Sequence, residues 1–140
     1  MRKFEDSLPL QLLKAREASM SFFRPLLQEN DMTEQQWRIL RALHEFDELD
    51  YKQVARMCCI LSPSLTGIIN RLEKQGYISR QKDESDQRRI LLKQTEKAKA
   101  LFARLSPEVE ARYKIFSEKF GPEKLAQLSL LLNDLAKIKD

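Results

Sequence analysis

The chain has 140 residues, of which 42% are hydrophobic and 33% charged, with a net charge of +4. That is the size of one ordinary domain whose core needs neither disulfide nor metal, and the composition excludes a disordered chain. No apolar run approaches the roughly 20 residues that span a bilayer, and no basic-then-apolar leader opens the sequence, so a cytoplasmic location is expected.

The chain opens with a helical pattern over residues 8–29, where Pro25 is placed to kink or end it. Taken at about 100° per residue, Leu12, Arg16, Met20, Phe23 and Leu27 share one stripe. Arg16 therefore sits among apolar residues, with no acid three or four positions away. A buried guanidinium without a partner is costly, so something must satisfy it. A carboxylate or carbonyl elsewhere in the fold, escape to solvent, and a bound carboxylate held by the guanidinium fork all remain open.

Asn30–Met32 is a connection. Thr33 with Gln36 has the form of a capping box and starts a helix that runs to Phe46. Ile39, Leu40, Leu43 and Phe46 form its core face. Trp37, Arg41 and His44 form a second stripe. Trp37 is either core or a ring face for a ligand; His44 reads more readily as structural. Residues 47–50 form a turn, and Tyr51–Cys58 is a short helix with Val54 and Met57 inward. Cys59–Leu61 links it to the next helix. Ser62 is placed as N-cap with Pro63 at the first helical position, and Gly76 as the left-handed stop. Between them Leu65, Ile68, Ile69 and Leu72 make a core face, opposite Pro63, Thr66, Gly67, Asn70, Arg71 and Lys74.

The period then changes to two. Tyr77–Gln81 and Arg89–Lys93 read as short strands around a polar hairpin loop, residues 82–88. Thr95-Glu96 caps a long helix whose apolar positions Leu101, Leu105, Val109, Tyr113 and Phe116 recur every three or four residues, and which Ser106-Pro107 is placed to bend. Gly121-Pro122 opens a last helix with Leu125, Leu128, Leu132, Leu135 and Ile138 on one stripe.

Short helix, turn, polar-faced helix and basic hairpin make a winged helix-turn-helix. The expected fold is mainly α with a small β-hairpin wing. Residues 33–94 are the DNA-binding lobe of a single domain 1–140, and 1–30 and 95–140 are dimerisation helices. The charge agrees with this division. Residues 50–93 carry nine Lys/Arg against five acids, whereas the rest of the chain is neutral. An excess of that kind suits a polyanion, and double-stranded DNA is the expected partner.

The expected DNA contacts are Ser62, Pro63, Ser64, Thr66, Gly67, Asn70, Arg71, Lys74, Arg88 and Arg89: the small polar residues near the helix N-terminus toward base edges, Gly67 permitting close backbone approach, Arg71 and Lys74 toward phosphate, and Arg88 and Arg89 at the wing tip. Asp86 is placed to orient Arg88. The end helices carry more apolar surface than so small a core covers, so a homodimer is expected, with its two recognition helices about 34 Å apart on a near-palindromic operator.

Gln36–Leu43, Ser62–Arg80 and Asp86-Gln87-Arg88-Arg89 ending at Thr95 resemble the MarR family of bacterial regulators. Gln94 departs from the leucine usual there. Leu13–Pro25 and Cys59–Gly67 are similar to the branch that represses operons for homoprotocatechuate (4-hydroxyphenylacetate) degradation. The resemblance implies a ligand-responsive repressor with a small aromatic carboxylate or phenolic effector, and it points to Arg16, Met20, Phe23, Trp37 and His44 as effector contacts.

No nucleophile with a base, metal-ligand set or phosphate loop is present, so no enzyme, metal or cofactor is expected. The alternative is a redox-responsive regulator of the same fold using Cys58 or Cys59.

Overall fold

A computed structural model describes all residues, 1–140. After one 3-10 turn, Phe4–Asp6, the elements in chain order are α1 (Leu8–Met20), α2 (Arg24–Glu29), α3 (Glu34–Phe46), β1 (Glu48–Asp50), α4 (Tyr51–Cys58), α5 (Ser62–Lys74), β2 (Ile78–Lys82), β3 (Ile90–Gln94), α6 (Glu96–Phe120) and α7 (Pro122–Ala136). The expected class is found: helices around a small antiparallel sheet. No helix is long and apolar enough to cross a membrane. The chain divides into two compact units, Met1–Pro25 with Glu108–Asp140, and Leu26–Pro107.

The unit Leu26–Pro107 holds every buried apolar side chain of the chain. In α3, Ile39, Leu40 and Leu43 are buried at helical spacing. Its start is the expected capping box: the Thr33 hydroxyl accepts from the Gln36 backbone N–H at 3.1 Å, and the Gln36 side-chain oxygen Oε1 accepts from the Thr33 backbone N–H at 3.0 Å. A second capping box, between Asp50 and Gln53, starts α4. In α4 the inward pair is Val54 and Cys58. Met57, expected inward, is 40% exposed. Residues 54 and 58 lie one turn apart on one face, whereas 57 falls to the side of it.

In α5, Leu65, Ile69 and Leu72 are fully buried and Ile68 partly so. Ser62 is the first helical residue and not the cap; Leu61 occupies the N-cap position and makes no side-chain cap. Gly76 ends the helix as expected, at φ 82°. The Gly76 and Tyr77 N–H groups donate back to the carbonyls of Glu73 and Leu72 at 3.0 and 2.9 Å, which satisfies the last turn.

The residues expected as a turn before α4 include β1, a third strand. It pairs antiparallel with β3, Leu49 opposite Leu92, so the sheet order is β1-β3-β2. Its three residues are too few to show a period, and its pairing partner lies some 40 residues downstream. Both hairpin strands begin one residue later than expected, and β2 and β3 pair from Ile78–Gln94 to Lys82–Ile90.

The helical pattern expected over 8–29 is interrupted at residues 21–23, just before Pro25, which was placed to kink or end it. Phe22 and Phe23 donate only three residues back, to Ser19 and Met20. The hydroxyls of Ser19 and Ser21 donate to the carbonyls of Arg16 and Ala18, and Pro25 has no N–H to continue the ladder. Pro107 lies inside α6 without ending it. Gly121, at φ 110°, precedes α7, which stops at Ala136; Ile138 therefore lies beyond the helix whose stripe it was expected to share. No residue of α1 or α7 is buried.

Candidate nucleic-acid interface

The polar side of α5 is open as expected. Pro63, Thr66, Gly67, Asn70, Arg71 and Lys74 are all exposed, as are Ser62 and Ser64. A Cβ added at Gly67 meets nothing within 4 Å, so no packing within the chain requires glycine there. Its bare backbone is open to a partner's close approach. A shallow cleft of about 430 Å³ is lined by Gly67, Asn70, Arg71, Glu73 and Lys74.

Glu73, the acid of α5, is neutralised. Arg80 on β2 lies 3.0 Å from its carboxylate, donates to the Asn70 side-chain oxygen, and stands 5.7 Å from the Tyr51 ring centroid. One arginine thus links wing strand, recognition helix and α4. It also changes what Asn70 can read. A bidentate adenine pair needs both the oxygen and the amide N–H of asparagine, and the oxygen is engaged.

The wing separates two adjacent arginines. Arg88 is 93% exposed. Asp86 accepts from the Arg88 backbone N–H at 3.0 Å and meets its Nε only at 3.4 Å. The acid therefore shapes the loop more than it holds the guanidinium, and so exposed an ion pair contributes little.

Arg89, expected to face DNA, turns inward instead. Its Nε donates to Asp50 at 2.7 Å, Nη1 to Asp83 at 3.2 Å and Nη2 to Gln53 at 3.3 Å. Two carboxylates at the base of the wing attract the nearer arginine, and its charge is spent within the fold. The Gln53 backbone N–H and the Arg89 guanidinium hold the Asp50 carboxyl below the usual carboxylate range. Donors from Ser85, then Arg89, do the same for Asp83. Between the wing and the start of α4 lies a cleft of about 560 Å³ lined by Lys52 and Arg88 among others.

The residues expected to meet an effector fall in both units. Trp37 is buried, and its ring stacks on Phe102 at 5.3 Å. His44 is exposed and stacks on the same Phe102 at 3.8 Å. Phe102 was missed because it lies beside, not on, the Leu101–Leu105 stripe; an aromatic at a stripe's edge was the available signal.

In the other unit, Met20 and Phe23 are partly buried, and Phe23 lies 6.3 Å from the Tyr113 ring. Phe22 stacks on Phe116 at 5.1 Å. The expected burial of Arg16 is not found. Its side chain is 45% exposed and lies 3.9 Å from Glu17.

Cys58 is buried, and burial pushes its thiol pKa up, which disfavours the reactive thiolate. Cys59 is exposed at φ 53°. Nothing in this pair favours the redox alternative.

A short helix, a second helix with an open polar face, and a hairpin ending in an exposed arginine define a winged helix-turn-helix DNA-binding protein. The MarR family model matches residues 32–90. The HTH-type transcriptional regulator FarR of Neisseria gonorrhoeae is 47% identical over 96% of this chain and 92% of its own length. The homoprotocatechuate degradative operon repressor of Escherichia coli is 43% identical over 92% of this chain and 87% of its own. The crystal structure of NadR in complex with 4-hydroxyphenylacetate is 45% identical, with TM-score 0.83 and 99% of each chain covered. The chain belongs to the MarR family of transcriptional regulators.

Proposed function

We propose that this regulator is a cytoplasmic homodimeric repressor that binds a near-palindromic operator and is released by a phenolic or aromatic acid. The observation that carries the DNA reading is the open face of α5. It presents small polar residues and two cations, and its single acid is neutralised by Arg80. Ser62, Pro63, Ser64, Thr66 and Gly67 approach base edges, Arg71 and Lys74 meet phosphate, and Arg88 enters the minor groove.

The dimer reading rests on the unit formed by the chain ends, which contains no buried side chain while Leu130, Leu131 and Leu13 are 67%, 66% and 57% exposed. A second copy is the natural cover for such a surface. The repressor and effector readings rest on the relatives just described, one named a repressor and one solved with 4-hydroxyphenylacetate.

An effector acts only through its differential affinity for the two states of the protein. Gel shifts on an operator selected from random duplex test this. At saturating 4-hydroxyphenylacetate the operator affinity falls at least tenfold; an unchanged affinity across a set of phenolic and aromatic acids removes the effector reading. The candidate effector residues are tested singly. Arg16→Met raises the acid concentration needed for release while leaving operator affinity intact, because a guanidinium fork suits a carboxylate. Trp37, Met20, Phe23 and His44 are each replaced by alanine and scored in the same titration.

A further inference from the structure

Leu61 breaks a local rule. It holds the N-cap position of the recognition helix, with φ −65° and ψ 137°, and its carbonyl receives the N–H groups of Ser64 and Leu65 at 3.0 Å. Its side chain makes no capping bond. Leucine is among the poorest N-caps, because it offers no acceptor to the free N–H groups of the first turn. The α3 and α4 helices of the same unit carry full capping boxes at this position.

Packing does not account for the choice either. Leu61 is 79% exposed, against 48% for Phe46 and 40% for Met57, the other exposed large hydrophobics of its unit. A residue that neither caps nor packs, placed where the chain caps its neighbours well, is expected where function outweighs local stability.

The surroundings identify the function. Ser62, Pro63 and Ser64 follow directly and are exposed, and the N-terminal residues of a recognition helix are those that reach base edges in the major groove. The apolar feature a major groove displays is the thymine C5-methyl group.

We infer that Leu61 is a specificity-determining residue that covers a thymine methyl in each half-site. The inference rests on the DNA-binding reading above and adds a base preference to it.

The test begins with operator selection from random duplex by the wild-type protein and by Leu61→Ala. Each thymine of the wild-type operator is then replaced singly by deoxyuridine, which removes the methyl and keeps every hydrogen-bonding group. At one thymine per half-site, wild-type affinity falls about fourfold, the effect of exposing one methyl-sized group. Leu61→Ala, which loses the contact in both half-sites, binds the thymine operator about 16-fold more weakly and is indifferent to uracil at that position alone. Its selected motif loses that thymine and keeps the rest.

Three outcomes overturn the inference. Wild-type binding can be unchanged by uracil at every thymine, or Leu61→Ala can retain the same uracil penalty. In either case the operator reading survives. If the wild-type protein selects no motif at all, the operator reading fails and takes the inference with it.

Discussion

The two units of this chain solve the burial problem differently. Leu26–Pro107 holds a closed core: Ile39, Leu43, Val54, Ile69, Leu72, Leu92 and Leu105 are at or near zero exposure. The unit of the chain ends buries nothing fully, although its composition is no less apolar. Its leucines at 13, 130 and 131 stay more than half exposed. The difference teaches that hydrophobic patterning marks which face wants cover, without saying whether the cover comes from the same chain.

The comparison breaks most readily at its exposed half. Leu130→Glu combined with Leu131→Glu separates the copies, and operator affinity falls about 100-fold or more as two linked half-site contacts become one. Sedimentation and gel shift read both effects. Unchanged mass and affinity would show that this surface needs no second copy.

The closed half is sharpened by Leu43→Ala, which costs about 2–5 kcal/mol as a cavity in a packed core. The unfolding temperature drops at every protein concentration. For the wild type, melting that rises with concentration reports the association of the other unit.

At the wing the expected effects are smaller and distinguish neighbours. Arg88→Ala leaves thermal stability unchanged and lowers the log–log salt slope of DNA binding by about 1.8, about 0.9 for the one phosphate neutralised in each of two half-sites. Arg89→Ala lowers wing stability, read as faster amide exchange in residues 82–90. Equal salt slopes for wild type and Arg88→Ala would remove Arg88 from the interface.

Acid probes the same brace. The Asp50 carboxyl has a depressed pKa in the folded protein. Its contribution is complete above the ordinary aspartate value of about 3.9 and disappears as the pH falls through the lower folded value. Stability between pH 5 and 8 therefore does not depend on this group's titration, and wild type and Asp50→Asn converge only below about pH 4. The smallest effect expected is from alkylation. Iodoacetamide modifies exposed Cys59 and spares buried Cys58, and operator affinity stays within about twofold.

Much of the closed unit was legible because its signals are local. The Thr33–Gln36 box, the Gly76 stop and the Leu65–Leu72 spacing each specify a bond or face within four residues. What escaped depends on distant partners. β1 exists because Leu49 meets Leu92, and Arg89 turns inward because Asp50, 39 positions earlier, waits beside it. Arg16 was misread for another reason: the wheel that set it in an apolar stripe runs through residues 21–23, where the helix breaks, and its side chain stays 45% exposed. At the interface, the exposed face of α5 followed from helical period alone. The engagement of Asn70 by Arg80 did not, since it joins a helix to a strand across the turn at Gly76.

That turn has a consequence for how such regulators diversify. The Thr95 backbone N–H donates to the Tyr77 carbonyl at 3.0 Å, and the Thr95 hydroxyl donates to Gly76. The end of the recognition helix and the start of α6 are thereby stapled at the foot of the wing. Lengthening a loop costs only about 0.6 kcal/mol per doubling once its ends are fixed. Insertions and deletions at the wing tip can therefore accumulate without disturbing the packing of α5. The reach of the wing can vary between descendants of one ancestor while the placement of the recognition helix is inherited intact.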